Sequence, residues 1–281
     1  MTRKFRGIPL AAPYWRPGED YVQRIVDAVG DRVEDGDFVT ISDKAVSTAI
    51  GNIADERHIH PSKLARCIAA YWMRCVWGYV LGPLCHLRRK TLRQLRSYPI
   101  AEGSSHKQLV LRRAGILQAL MQGSEGGIDG SNLPYSYVSL PLKNAHRIAQ
   151  DIRRRISSKL GVNVTVLIVD TDKTYSFGNF HFTPRPKPIE GIHSFGGFLA
   201  YLLGRSLKMQ RRATPVAVAG FELGAEKALE IAKIANRSRG VGAGRTVWDM
   251  AGTFKVSLTG VTWDMLDAVE HRPVVIVKLH K

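Results

Sequence analysis

Four consecutive apolar residues, Val166, Leu167, Ile168 and Val169, narrow what this chain can fold into more than any other feature. A short, β-branched run without polar alternation reads as a strand, 164–169, buried on both faces, so other elements must cover each side. It ends abruptly in Asp170 and Thr171. Upstream, GGIDGSN (126–132) sets a lone carboxylate, Asp129, in a glycine-rich turn followed by Ser131 and Asn132. An acid and a hydroxyl where a buried strand stops offer hard oxygen ligands of the kind Mg2+ or Mn2+ takes. Two such presentations lead to the expectation that Asp129 and Asp170 share a metal, beside the plainer reading that Asp in a glycine turn serves the turn alone.

The rest of the chain mixes elements without strict βαβ order. PGEDYVQRIVDAVGD (17–31) carries Pro17, Glu19 and Asp20 at a helix start. EDGDFVTISDKAVST (34–48) reads as a turn and a strand with Asp43, Lys44 and Ser47 at its outgoing end. Residues 61–80 form an apolar helix, and 108–113 and 115–120 read as paired strands feeding the glycine turn. Ala145, Ile148, Ile152, Ile156 and Leu160 make the stripe of an amphipathic helix over 144–160. TPRPKP (183–188) is too stiff for regular structure. ATPVAVAG (213–220) is a strand or the apolar start of a helix, 224–236 is a helix, and 272–279 is a closing strand. The expected class is α+β, with mixed sheets and packed helices. The 281 residues suit one domain, 1–281, or two interwoven subdomains of about 1–125 and 126–281.

A net charge of +17 favours anionic partners such as nucleotides, phosphorylated small molecules, nucleic acid or anionic lipid. Cys67, Cys75 and Cys85 lack the paired spacing of a zinc site and lie in one apolar stretch, so they read as buried thiols in a reducing cytoplasm. His58 and His60 have no third ligand beside them. The N-terminal residues lack the apolar core of a signal peptide. Residues 67–87 are broken by Arg74, Gly78, Gly82 and Pro83, so a cytoplasmic protein without a membrane span is expected.

RSRGVGAGRT (237–246) follows a helix and precedes the helical stretch VWDMAG. Its alternate glycines, Gly240, Gly242 and Gly244, bare backbone N–H groups ahead of a helix N-terminus, with Arg237, Arg239 and Arg245 adding charge: a phosphate cradle. A simple connector is the alternative, since the loop is neither a P-loop nor a dinucleotide turn. No nucleophile–base arrangement is visible, so no catalytic residue is assigned. Paired acids and basic glycine loops point to phosphoryl or acyl-phosphate chemistry, in which a protein mainly positions groups and neutralises charge.

With GIPL (7–10), EDGDFVTISDKAVS, GGIDGSN, the Arg-rich helix before VLIVDT, LGRSL (203–207) and the terminal PVVIVK in this order, the chain resembles the coenzyme F420-0:L-glutamate ligase family. That family uses GTP and divalent metal to add γ-linked glutamate to a deazaflavin phospholactate. The resemblance implies a first-metal site at Asp129 and Asp170 and a second-metal ligand at Thr171. It implies nucleotide contacts at Ile8, Pro9, Leu10, Ala11, Asp43, Lys44 and Asn132, and an intertwined homodimer of α+β fold. Three departures stand against it: Thr48 replaces a family lysine, 236–244 is basic where the family has an acidic ligand, and 172–177 lacks a family arginine stretch.

The expected function is therefore a GTP- and metal-dependent ligase joining a carboxylate acceptor to an amino acid such as L-glutamate, with F420-0 as the acceptor. A noncatalytic nucleotide- or phosphometabolite-binding protein on the same scaffold is the alternative. A nucleic-acid binder rests on charge alone, without a recognisable motif.

Overall fold

The protein's structure, a computed structural model, describes residues 5–123 and 125–279. Its strands are β1 (Phe5–Ala12), β2 (Phe38–Ser42), β3 (Ile53–Asp55), β4 (Tyr137–Ser139), β5 (Thr165–Phe177), β6 (Phe180–Thr183), β7 (His193–Ser194), β8 (Gln210–Ala219) and β9 (His271–Leu279). The main sheet runs β1-β9-β2-β5-β6-β7, with β8 also on β5, and β3 pairs with β4 apart from it. The first half of β5 pairs in parallel with β2, Phe38 opposite Thr165 through Ser42 opposite Val169. Its other edge carries antiparallel β8. Where β2 ends at Ser42, β6 later takes the vacated edge. Parallel and antiparallel ladders in one sheet, with helices on its faces, make the α+β class expected from the mixed order.

The apolar run works as its composition demands. Val166 and Ile168 enter one cluster, with Ile25 and Val26 of helix Tyr21–Val29 and Ile152 and Ile156 of helix Ala145–Leu160. Leu167 and Val169 enter another, with Ala228, Ile231 and Ala232 of helix Ala225–Arg239. β9 alternates likewise, Val274 and Ile276 one way, Val275 and Val277 the other. Each such side chain contributes about 1.5–3 kcal/mol by leaving water, so this central pair of strands carries much of the core.

Four expectations need correction. β5 does not end at Asp170 but runs to Phe177. Asp170 pairs with Thr214 and Lys173 with Ala213, so Thr171 and Asp172 are a bulge rather than a terminus. A bulge and a strand end look alike in sequence, because both interrupt the apolar pattern with polar residues. Residues 108–113 and 115–120 are not paired strands. They belong to helices Ile100–Arg113 and Ile116–Ala119, broken at Gly115 with φ 87°. Short apolar runs carry no period of their own; the helical one appears only upstream, where Gly103, Ser104, Lys107 and Gln108 are buried. Cys67 and Cys75 are exposed, and only Cys85 is buried; burial pushes that thiol up to about 11. The helix expected to end near residue 236 continues to Arg239, so Arg237 and Arg239 lie in its last turn rather than in the loop.

The apolar helix begins as Lys63–Cys67 and continues as a π-helix, Ile68–Leu81. Its i→i+5 hydrogen bonding suits the pair Trp72 and Trp77, whose indole N–H groups both donate to the Leu120 carbonyl at 2.7 Å. This helix and Ile100–Arg113 form a second core around Trp77, Met73, Leu109 and Val110 beside the sheet. No helix among the described residues is long and apolar enough to cross a membrane.

Candidate functional site

β2 and β5 run parallel and in register, so the residues that follow Ser42 and Val169 lie at one level, where the parallel ladder stops. Those residues are Asp43, first in helix Asp43–Ala49, and Asp170, the last paired residue of β5 before the bulge at Thr171 and Asp172. Ends of adjacent parallel strands are a common place for a ligand cleft. A cavity of about 790 Å3 opens here, lined among others by Lys44, Asp129, Thr171, Lys173 and Arg239.

Asp43 and Asp170 do not line that cavity. Beneath it, both bind the Arg185 guanidinium: Nε donates to Asp170 Oδ2 at 2.5 Å and Nη2 to Asp43 Oδ2 at 3.0 Å. The Arg185 side chain is 3% exposed. Burial pushes the Asp43 carboxyl up to about 6; Arg185 pulls it down and Asp170 adds to the rise. Asp129 does face the cavity, but its Oδ2 accepts from Lys44 Nζ at 2.5 Å and from Ser131 Oγ at 3.0 Å. Burial opposes its ionisation, yet Lys44 and the Ser131 donors outweigh burial and hold the carboxyl below its usual range. Each acid expected to bind metal therefore already holds a protein cation. Among the described residues no three His, Cys, Asp or Glu side chains converge on a metal position.

Arg239 is in the opposite condition. Its Nε and Nη2 are buried without a hydrogen-bond partner among the described residues. Burial pulls the guanidinium down to about 10, partly offset by Asp170 and Asp43. Lys173 is nearby: burial lowers its ammonium, Asp172 and Asp170 raise it, and Arg239 and Arg245 lower it further. A buried donor left unpaired costs about 1–3 kcal/mol, more when charged, so Arg239 is poised for an anion. Arg245 also lines the cavity but is exposed.

The glycine loop is held rather than loose. Asn132 Oδ1 accepts from Ala243 N at 2.7 Å and from Tyr14 Oη at 3.1 Å, and Asn132 Nδ2 donates to Gly244 O at 2.9 Å. Gly242, at φ 59°, is required because a Cβ there would lie 2.6 Å from Asn132 Oδ1. Asn132, expected to touch the nucleotide, lines the cavity and also positions the loop. Since the Ala243 N–H is already taken, the cradle leans on side chains more than on bare amides. Gly240, Gly242 and Gly244 do line the cavity. Ile8, Pro9, Leu10 and Ala11 do not; they lie in β1, paired to β9, with Leu10 in the core.

The far end of the cavity was not visible in sequence. Glu56, Tyr98, His106 and Glu125 line it. His106 lies between Glu56 Oε1 at 2.6 Å and Glu125 Oε2 at 3.0 Å. Fully buried Lys107 holds Glu125 Oε1 at 2.5 Å. Burial would lower the His106 pKa, but the two carboxylates raise it to about 10. Arg185 was likewise missed: the prolines of TPRPKP read only as stiffness, although stiffness is what fixes the arginine between them.

Residues 9–221 match the family described as F420-0:Gamma-glutamyl ligase. An uncharacterized protein of Methanocaldococcus jannaschii is 36% identical over 287 residues, covering 98% of this chain and 96% of its own length. The coenzyme F420:L-glutamate ligase of Methanopyrus kandleri is 28% identical over 170 residues, 60% of each chain.

Proposed function

The chain belongs to the F420-0:gamma-glutamyl ligase family, and from that premise we propose that it is a nucleotide-dependent amide-forming ligase. In this reading a nucleotide, GTP as the family resemblance implies, gives its γ-phosphoryl group to an acceptor carboxylate. The nucleoside diphosphate leaves, and an acyl phosphate remains. The amine of an amino acid then attacks the acyl carbon, expelling phosphate and losing a proton. F420-0 as the carboxylate acceptor and L-glutamate as the amine are the substrate pair the family favours. The observation that carries the reading is the Arg239 guanidinium beside Lys173 in the cavity wall, whose buried Nε and Nη2 have no hydrogen-bond partner among the described residues. The anion such a pair recognises is a phosphate.

Mg2+ or Mn2+ enters this proposal only through the family. The residues as placed do not fit an ion shared by Asp129 and Asp170, because Lys44 and Arg185 occupy their outer oxygens. No step is assigned to a metal. Arg239 and Lys173 would neutralise phosphate charge, Lys44 would keep Asp129 and Ser131 in place, and Asn132 would hold the glycine loop.

One observation favours a noncatalytic nucleotide binder: Thr48, at the family's lysine position, spends its hydroxyl on the Lys44 carbonyl at 2.9 Å. Phosphate release from GTP, with and without L-glutamate and F420-0, separates the two readings. A ligase releases phosphate and forms product only when amine and acceptor are both present. Nucleotide binding without acceptor-dependent turnover would leave the noncatalytic reading.

We also propose a homodimer. Tyr71, Tyr79 and Val80, each at least 60% exposed on the π-helix, are apolar surface of the kind subunits cover. Light scattering should give twice the chain mass of 31.2 kDa at micromolar concentration. A monomer throughout that range refutes it.

A further inference from the structure

Arg185 bridges two buried carboxylates from adjacent parallel strands, and we infer that it is the resident cation of this site, excluding a divalent ion from Asp43 and Asp170. Three features build the place around the guanidinium. Its remaining nitrogen, Nη1, donates to the Pro186 carbonyl at 3.0 Å. Its own segment is clamped, since Arg185 N donates to Thr183 Oγ1 at 3.1 Å and Gln118 Nε2 to the Pro184 carbonyl at 2.6 Å. Above all, Gly127, at φ 89°, lies against it: a Cβ there would sit 2.7 Å from both Cζ and Nε of Arg185. The glycine turn that resembles a metal loop thus makes room for an arginine.

The chemistry agrees with that placement. Mg2+ binds through carboxylate oxygens, and an oxygen already held by a fixed cation is not free to take it. One oxygen of each acid, Asp170 Oδ2 and Asp43 Oδ2, is bonded to Arg185. A guanidinium stays charged at any physiological pH, and its planar fork spans two carboxylates as an ammonium cannot. Displacing it would leave a buried arginine with neither acid. The inference stands apart from the ligase reading, because it concerns metal binding in the absence of nucleotide and substrate.

The test is a Mn2+ titration of the full chain, followed by electron paramagnetic resonance and calorimetry, without nucleotide. The Asp170→Asn variant should bind Mn2+ no differently from the parent chain. Arg185→Met should gain one Mn2+ site, with affinity raised at least about tenfold once the carboxylates are released from a competing cation. That gain should disappear in the Arg185→Met, Asp170→Asn double variant. A Mn2+ ion held by the unsubstituted chain and lost in Asp170→Asn overturns the inference. So does a folded Arg185→Met variant that binds Mn2+ no better than its parent. Should Arg185→Met fail to fold, the comparison of the parent with Asp170→Asn decides alone.

Discussion

Replacing Arg239 and Arg245 together by alanine is expected to lower nucleotide affinity by roughly two to four powers of ten, at about 1.5–3 kcal/mol for each charge-assisted contact. The two are not equal partners. Arg245 is exposed, so water and salt screen its contact, whereas the inner nitrogens of Arg239 are buried and unpaired before any ligand arrives. Arg239→Ala alone should therefore account for more than half of the loss in free energy. Arg239→Lys should recover little, because a single ammonium does not reproduce a fork that meets two phosphate oxygens. Titration calorimetry with GTP measures each variant. Unchanged affinity in the double variant would mean that 240–246 only connects two helices and that phosphate is held elsewhere.

The second large effect is on stability. Glu125→Ala should destabilise the fold by about 3–5 kcal/mol, as expected when one partner of a buried ion pair is removed. For a chain of this size that corresponds to a drop in Tm of roughly 5–10 °C. Lys107 is the reason: its ammonium is fully buried on Glu125 and the Met121 carbonyl, and without the carboxylate it is left with a carbonyl alone. The effect carries a pH signature. His106 titrates near 6.5 when unfolded and about 10 when folded, so its stabilisation is complete below pH 6.5 and is lost as pH rises toward 10. Lys107, lowered by burial, titrates in the opposite sense at the alkaline end, so the clean window is pH 6 to 9. Thermal melts across that window should show the parent losing stability with pH and Glu125→Ala losing less. Parallel curves would show that Glu125 does not hold the imidazolium.

Much of the fold is legible where local chemistry and tertiary demand agree. The 166–169 run had to be a strand covered on both faces, and β9 followed by the same logic. The stripe from Ala145 to Leu160 named its own buried face, with Ala145, Ile152 and Ile156 in the core. Where the two parted, reading failed for identifiable reasons. Residues 108–120 were apolar without a period, and their helix shows only through buried Lys107 and Gln108, which sequence rules place outside.

The candidate site divides in the same way. Sequence by itself determined that acids, a glycine turn and a basic glycine loop exist, that their order matches one family, and that the net charge is +17. Each of those properties resides in residue type and spacing. Which acid meets which cation was decided only by the tertiary structure. Asp43 and Asp170 are far apart in the chain and become neighbours because β2 and β5 pair in parallel with Ser42 opposite Val169. Arg185 reaches both because a proline-bounded segment passes beneath them, and Gly127 leaves it space. Arg239 Nε and Nη2 have no hydrogen-bond partner among the described residues, because the nearby acids bond to Arg185 instead. Charge pairing depends on distance in space, and motif spacing along the chain does not carry that distance.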